Sequence, residues 1–159
     1  MGESPEEIIE AFWKSCWDHI PAEDRSASFR SWSFGDSAEL ADELLALVLS
    51  GVKTATCGAL WDYEYDGEEP PITGSYHILT DYSGQPCCLI QLTSVEFCSF
   101  KCVSADFASA EGEGDRSLNN WREGHHQFFK RRAEDTGNIF DEDTVLVLER
   151  FKVVYPTIN

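Results

Sequence analysis

Apolar residues near the start of the chain recur at the spacing of one helix face. The recurring positions are Ile8, Ile9, Phe12, Cys16 and Ile20. Ser4 precedes them as a capping residue, Pro5 suits the first helical position, and Glu7 completes a capping box. The pattern predicts a first helix that begins after Ser4 and ends before Pro21.

Two further segments repeat this helical period. The second stripe consists of Leu40, Leu44, Leu45 and Val48, and the third of Leu118, Trp121, His125, Phe128 and Phe129. Asp36 and Glu39 form a second capping box, and Gly51 suits the C-terminal cap of the same helix. Ser117 is the expected N-cap of the third helix, which the pattern predicts over residues 118–135. The aromatic residues of this third helix are expected in the core.

Continuous or alternating apolar runs predict strands elsewhere in the chain. The longest of them cover residues 75–81, 86–97 and 143–155. A shorter strand is expected directly after Lys53, and residues 28–36 and 62–75 are expected to be loops. Strands with intervening helices, but without a strand–helix–strand rhythm, indicate a single α+β domain over residues 1–159. Its sheet is expected to be mostly antiparallel and barrel-like.

The net charge of −17, from 29 acidic and 12 basic residues, argues against a long polyanion as the main partner. Nucleic-acid binding draws much of its affinity from Lys and Arg side chains that displace counterions from phosphates. The one clear basic group is Lys130, Arg131 and Arg132, with Arg122 nearby on the same predicted helix. Composition therefore favours a small-molecule substrate, and RNA binding would need a local basic cleft. Solubility alone also accounts for the acidity.

No apolar run reaches the roughly 18 residues that a membrane span requires. The N-terminus is acidic, unlike a secretion signal, so we expect a soluble cytoplasmic protein with no membrane partner. The six cysteines contain no CxxC pair and are expected to be reduced, mostly as small core residues. A zinc site built from Cys98, Cys102 and a histidine is the alternative. The adjacent His125 and His126 cannot face one ligand together on a helix.

The stretch "GVKTATCGALWDYE", residues 51–64, places a lysine beside hydroxyl and thiol side chains just after a helix. It is either a surface turn or a reaction centre. Amide cleavage needs a nucleophile, a base that removes its proton and an acid for the leaving nitrogen. On an extended strand Lys53 and Thr56 point to opposite faces, so they meet only where the chain bends or bulges. Lys53 acts as a base only where burial or nearby positive charge lowers its pKa.

Four segments, "GVKTAT", "LWDYE", "FASAEGEGDRSLNNWREGHHQFF" and "VLERFKVVYP", resemble the ASCH family, whose fold is similar to the PUA domain. The similarity runs from Trp32 to Pro156, with residues 1–30 as an N-terminal helical extension. It implies a small, mostly antiparallel β-barrel with helices packed around it. It also implies either an RNA-related role or, as in some bacterial members, hydrolysis of N4-acetylcytidine and related N4-acylcytidines.

For the hydrolytic members, the resemblance implies that a lysine, a threonine three residues later and a glutamate from a distant segment are catalytic. These correspond to Lys53, Thr56 and Glu111. Glu113 is the runner-up for the glutamate, because the turn "EGEGD" is longer here. After the threonine, "TCG" replaces the "TIR" of the small members, so the arginine of that pattern is absent. The candidate substrate contacts are Trp61, Glu64 and Arg116.

The resulting functional prediction is an amidohydrolase that converts N4-acylcytidines, a class of modified nucleoside, to cytidine and a carboxylic acid. Its mechanism would use Thr56 as a nucleophile activated by Lys53, with Glu111 relaying the proton. This mechanism requires no metal and no other cofactor. The alternative prediction is an RNA-binding module or a metal-dependent ribonuclease of the same family.

Overall fold

The capping box predicted at the N-terminus is present. Ser4 Oγ accepts a hydrogen bond from the Glu7 N–H at 3.2 Å, and the Glu7 carboxylate accepts one from the Ser4 N–H at 3.1 Å. This box begins α1 (Pro5–Ser15) in the computed structural model of the protein, which describes residues 2–157. A short 3₁₀ helix at residues 17–19 then leads the chain towards Pro21.

Within residues 2–157, four more α-helices follow. Their bounds are α2 (Ala38–Leu49), α3 (Leu60–Tyr65), α4 (Ala105–Glu111) and α5 (Leu118–Thr136). Ser117 caps α5 as predicted, since its Oγ accepts from the Asn120 N–H at 3.1 Å. The predicted cap of α2 at Asp36 is wrong, because Ser37 has the extended backbone of an N-cap and its Oγ accepts from the Leu40 N–H. Across residues 2–157, no helix combines the length and the apolar character that crossing a membrane would take.

Two segments predicted to be loops contain regular structure. Residues 62–75 begin inside α3, where Trp61 packs against buried residues and the Tyr63 hydroxyl donates to Glu149. Residues 28–36 contain β1 (Phe29–Ser33). The alternation of apolar and polar residues in β1 is too short to predict a strand. β1 forms because it pairs with a distant segment of the chain, rather than through local propensity.

The sheet has five strands in the order β1-β3-β4-β5-β2. The other strands are β2 (Ala55–Ala59), β3 (Tyr76–Thr80), β4 (Pro86–Ser99) and β5 (Val145–Tyr155). β1 and β3 run parallel, with Phe29 opposite Tyr76, whereas the β3–β4 and β2–β5 pairs are antiparallel. The predicted α+β class with a mostly antiparallel sheet is therefore confirmed.

The chain divides into two compact units. The first comprises the chain up to residue 51, residues 74–93 and the chain from 151 onward, and the second comprises 52–73 and 94–150. One buried hydrophobic cluster of the first unit contains Trp13, Cys16, Ile20, Tyr76, Ile78 and Leu89. The main buried cluster described in the second unit, called its core below, contains Ala55, Ala59, Phe100, Val103, Phe107, Ala108, Trp121, Phe129, Leu146 and Leu148. All candidate site residues belong to the second unit.

Candidate functional site

Lys53 is a buried cation at the entrance to β2. It lies two residues beyond Gly51, and only 1% of its side chain is exposed. Its Nζ lies 3.1 Å from Glu111 Oε1 and 2.8 Å from Glu113 Oε2, and it donates to the Glu111 carbonyl at 3.3 Å. An ammonium buried this deeply needs such partners, because it has lost the stabilisation that water gives a charge.

Glu111 takes part in most of the contacts around the Lys53 ammonium. It is the last residue of α4, and its side chain is 1% exposed. Its Oε2 accepts a hydrogen bond from Trp121 Nε1, lies 3.0 Å from His125 Nε2, and lies 3.5 Å from Cys57 Sγ. We call this set the Lys53 cluster, and its members are Lys53, Cys57, Glu111, Glu113, Trp121 and His125.

Backbone contacts hold together the two chain segments that carry the lysine and the glutamates. The Thr54 N–H donates to the Ala110 carbonyl at 2.8 Å. Gly112 ends α4 in the left-handed conformation, with φ of 72°. A Cβ atom at this glycine would lie 2.7 Å from the Val52 carbonyl oxygen. Glycine is therefore required here, because both the positive φ and the close approach exclude a side chain.

Gly112→Ala is expected to lower the free energy of unfolding by about 1–3 kcal/mol more than Gly137→Ala, because only Gly112 faces a backbone atom. Gly137 is the matched control: it ends α5 with φ of 74°, and a Cβ there would meet nothing within 4 Å. Gly137→Ala should lower the free energy of unfolding by about 1–2 kcal/mol, because alanine disfavours the left-handed backbone conformation. Urea denaturation measures both losses. Equal losses in the two variants would show that the nearby Val52 carbonyl oxygen does not restrict the side chain at position 112.

Lys53 and Glu111 form an ion pair at neutral pH. Burial by itself would lower the pKa of Lys53, but the Glu111 and Glu113 carboxylates outweigh it and raise that pKa above its ordinary value. Burial would likewise raise the pKa of Glu111, but the charges of Lys53 and His125 hold it well below its ordinary value. A lysine held as a cation in this way is a poor base until one of its carboxylate partners takes a proton.

The remaining ionisable members of the cluster are less deeply buried. Glu113 is 28% exposed, and burial raises its pKa more than the attraction of Lys53 lowers it. Burial would lower the pKa of His125, but the Glu111 carboxylate raises it above the ordinary value. Burial, followed by the Glu111 charge, raises the pKa of the Cys57 thiol well above its usual range. Glu113 is therefore the carboxyl group of the cluster that most readily holds a proton.

Thr56 lies on the face of β2 opposite the Lys53 cluster. The residues of β2 that pack into the core of the second unit are Ala55, Cys57 and Ala59. Because side chains alternate along a strand, Thr56 points the other way. Its register partner on β5 is Glu149, a 3% exposed carboxylate that accepts from the Tyr63 hydroxyl at 2.7 Å. The pairing of Lys53 with Thr56 stays a prediction, and it would need the chain to bend.

The three predicted substrate contacts lie in different surroundings. Trp61 is partly buried against the core of the second unit, and among the described residues its Nε1 has no hydrogen-bond partner. Glu64 is exposed on α3. Arg116 is exposed with φ of 67°, and its Nε donates to the Ser109 carbonyl at 3.0 Å. A role for each in substrate binding stays a prediction.

Two of the four basic residues predicted as an RNA-facing group make contacts inside the second unit. Arg122 donates hydrogen bonds to the carbonyls of Phe100, Lys101 and Val103. Arg132 makes a two-point contact with Asp62, at 3.0 Å from Nε and 2.5 Å from Nη2. Because these two guanidinium groups are engaged in contacts within the protein, they contribute less positive charge to a surface that could bind a polyanion.

Sequence reasoning missed three members of the cluster: Cys57, Trp121 and His125. Trp121 does lie in the core as predicted, with 4% exposure, but its Nε1 also donates to Glu111. The spacing of Trp121 and His125 was the available signal in the sequence, because residues four apart lie on the same face of a helix. The Trp121 and His125 rings stack with centroids 4.2 Å apart, and this stacking directs the imidazole towards the carboxylate.

The mixed sheet, its helices and the buried lysine after a leucine-rich helix define an α+β domain of the ASCH class, with a PUA-like fold. The model of the ASCH domain family matches residues 30–155, and the chain belongs to this family.

Two solved structures are similar over nearly the whole chain. The crystal structure of the ASCH domain from Lactobacillus crispatus JV V101 is 38% identical, with a TM-score of 0.82, over 98% of this chain and 96% of that one. The crystal structure of a protein from Enterococcus faecalis V583 is 37% identical, with a TM-score of 0.81, over 92% of this chain and 87% of that one. No curated protein matches the chain. The similarities therefore support the family and the fold.

Proposed function

We propose that this ASCH protein is an amidohydrolase that cleaves the N4-acyl amide of N4-acetylcytidine and related nucleosides. The products are cytidine and a carboxylic acid. The observation that carries the proposal is the buried arrangement of Lys53 with Glu111 and Glu113. Ionisable groups whose pKa values are shifted by burial and by one another are typical of sites that move protons.

In this proposal Lys53 and the two glutamates have different roles. Glu113 is the more exposed carboxyl group, so it is the one that donates a proton to the leaving N4 nitrogen. Lys53 stabilises the negative oxygen that forms on the acyl carbon. Glu111 holds Lys53 in position and stays ionised. The difference in exposure favours Glu113 over Glu111 as the carboxyl group that contacts the substrate.

Two nucleophiles are compatible with these roles. In the first route, Lys53 passes a proton to Glu113 across their 2.8 Å contact and then takes the proton of Thr56 as its Oγ attacks. Glu113 next protonates N4, and water hydrolyses the acyl-threonine. In the second route, water attacks the acyl carbon directly and gives its proton to the Glu113 carboxylate, which passes it to N4. The first route needs the chain to bend at β2, and the second does not.

The test is the release of cytidine from N4-acetylcytidine by the purified protein, followed by chromatography. We expect turnover by the parent protein and a loss of at least about 10²-fold in Thr56→Ala if the threonine is the nucleophile. Thr54→Ala is the matched control, since Thr54 is exposed and its Oγ1 donates to the Ala110 carbonyl at 3.3 Å. Full activity of Thr56→Ala would remove the threonine route and leave the water route. No turnover by the parent protein would overturn the proposal.

RNA binding or RNA cleavage is the runner-up function. It is disfavoured by the net charge of −17 and by the internal contacts of Arg122 and Arg132. Binding to single-stranded RNA that weakens steeply with added salt would favour it, because counterion release dominates such binding.

A further inference from the structure

Three side chains of metal-binding type meet inside the Lys53 cluster. Cys57 is on β2, Glu111 ends α4 and His125 is on α5. Their candidate ligand atoms, Sγ, a carboxylate oxygen and a ring nitrogen, all lie within 4.8 Å of one another. The three residues come from well-separated parts of the sequence, so only the fold brings them together.

The distances from Glu111 Oε2 to the other two ligand atoms are close to those of a tetrahedral zinc site. With Zn–S near 2.3 Å and Zn–N or Zn–O near 2.0 Å, tetrahedral angles separate S from O by about 3.5 Å and N from O by about 3.3 Å. Cys57 Sγ lies 3.5 Å from Glu111 Oε2, and His125 Nε2 lies 3.0 Å from the same oxygen. The Cys57–Glu111 distance already matches, and the His125–Glu111 distance would lengthen by about 0.3 Å to admit the ion.

Neighbouring groups already orient two of the three ligands. His125 Nδ1 lies 2.9 Å from the Trp121 carbonyl, and an Nδ1–H donated there leaves Nε2 with its lone pair free for a metal. Glu111 Oε1 accepts from Lys53 Nζ at 3.1 Å. Hydrogen bonds to the outer atoms of metal ligands fix their orientation, and the bond from an outer imidazole N–H to a carbonyl also makes the histidine a stronger ligand.

We propose that Cys57, Glu111 and His125 bind one divalent transition-metal ion of the Zn²⁺ type. A thiolate and an imidazole select such an ion over Mg²⁺ or Ca²⁺, which prefer oxygen ligands. Three protein ligands leave a fourth position for water or a substrate oxygen. Binding releases the thiol proton and any proton on His125 Nε2. The sequence did not indicate these three ligands, since its alternative zinc site used Cys98, Cys102 and a histidine and the hydrolytic mechanism required no metal. The proposed site does not depend on that hydrolysis.

The same contacts also describe an ion cluster that needs no metal, and cobalt binding distinguishes the two. Protein treated with a chelator is titrated with Co²⁺, and thiolate-to-cobalt charge-transfer absorption in the near ultraviolet is recorded. We expect one Co²⁺ per chain and its displacement by one equivalent of Zn²⁺. Absence of that absorption in the folded parent protein, together with no bound Zn²⁺ after dialysis, would overturn the proposal.

Matched variants test which residues are the ligands. Cys57→Ser should remove the charge-transfer band and weaken binding by more than about 100-fold, since loss of an outer partner alone costs 10–100-fold. His125→Asn should weaken binding to a similar degree. Cys102→Ser and His126→Asn are the controls, because both side chains are exposed and lie outside the cluster. Circular dichroism establishes that each variant is folded, and equal losses in the controls would count against the assignment.

Discussion

Lys53→Met is expected to lower kcat/KM for N4-acetylcytidine by roughly 10²–10⁴-fold, the range typical of groups that transfer or stabilise charge in the transition state. Methionine matches the length of the lysine side chain but removes the ammonium that lies between Glu111 and Glu113. The loss should fall mainly on kcat, because the lysine is assigned to the transition state rather than to substrate binding. Steady-state kinetics with cytidine release as the readout measures it.

Lys101→Met is the matched control for this experiment. Lys101 is 55% exposed and pairs with Asp143 at the surface, so its replacement should leave kcat/KM unchanged within a few-fold. Thermal unfolding of Lys53→Met establishes that lost activity does not reflect lost structure. A folded Lys53→Met protein with the parent's activity would remove the lysine from the mechanism, even if hydrolysis itself is real.

Glu111→Gln is expected to lower the free energy of unfolding by about 3–5 kcal/mol, the usual cost of removing one partner from a buried charge pair. Glutamine keeps the volume of glutamate but gives up the negative charge that Lys53 and His125 face. Urea denaturation measures the loss. Glu123→Gln is the control, because Glu123 is exposed on α5 and its replacement should change stability by less than about 0.5 kcal/mol.

The double variant Lys53→Met with Glu111→Gln separates the ion pair from the rest of the packing. It should be less destabilised than the sum of the two single variants, because removing both charges leaves neither one buried without its partner. A double variant whose loss equals that sum would indicate that the two residues stabilise the protein independently, despite the 3.1 Å contact between them.

Local signals in the sequence were enough to predict α1, α2 and α5, whereas α3 begins in a segment that was predicted to continue as a loop. The capping box of Ser4 with Glu7 and the cap at Ser117 both depend on residues within one turn, and both are present. The cap of α2 was misassigned by one residue, because Asp36 and Ser37 are both good capping residues and only backbone geometry distinguishes them. β1 was missed because its strand partner begins at Tyr76, which no local pattern could reveal.

The candidate site could be predicted only in part. Resemblance to the family singled out Lys53, Thr56 and Glu111, with Glu113 as the runner-up. The structure brings Lys53 together with both glutamates, whereas the pairing of Lys53 with Thr56 stays a prediction. His125 was out of reach, because its position beside the carboxylate depends on how α5 packs against the end of α4. The sequence also held no sign that the lysine is buried to 1% exposure, since most lysines are exposed.

Side chains on the two faces of β2 contact different groups. Cys57 belongs to the Lys53 cluster, whereas Thr56 points towards the side where Tyr63 bonds to Glu149. A substitution on one face can therefore leave the other largely undisturbed. The activity of Thr56→Ala therefore reports on the threonine itself, because the ions of the Lys53 cluster lie behind the strand and keep their arrangement.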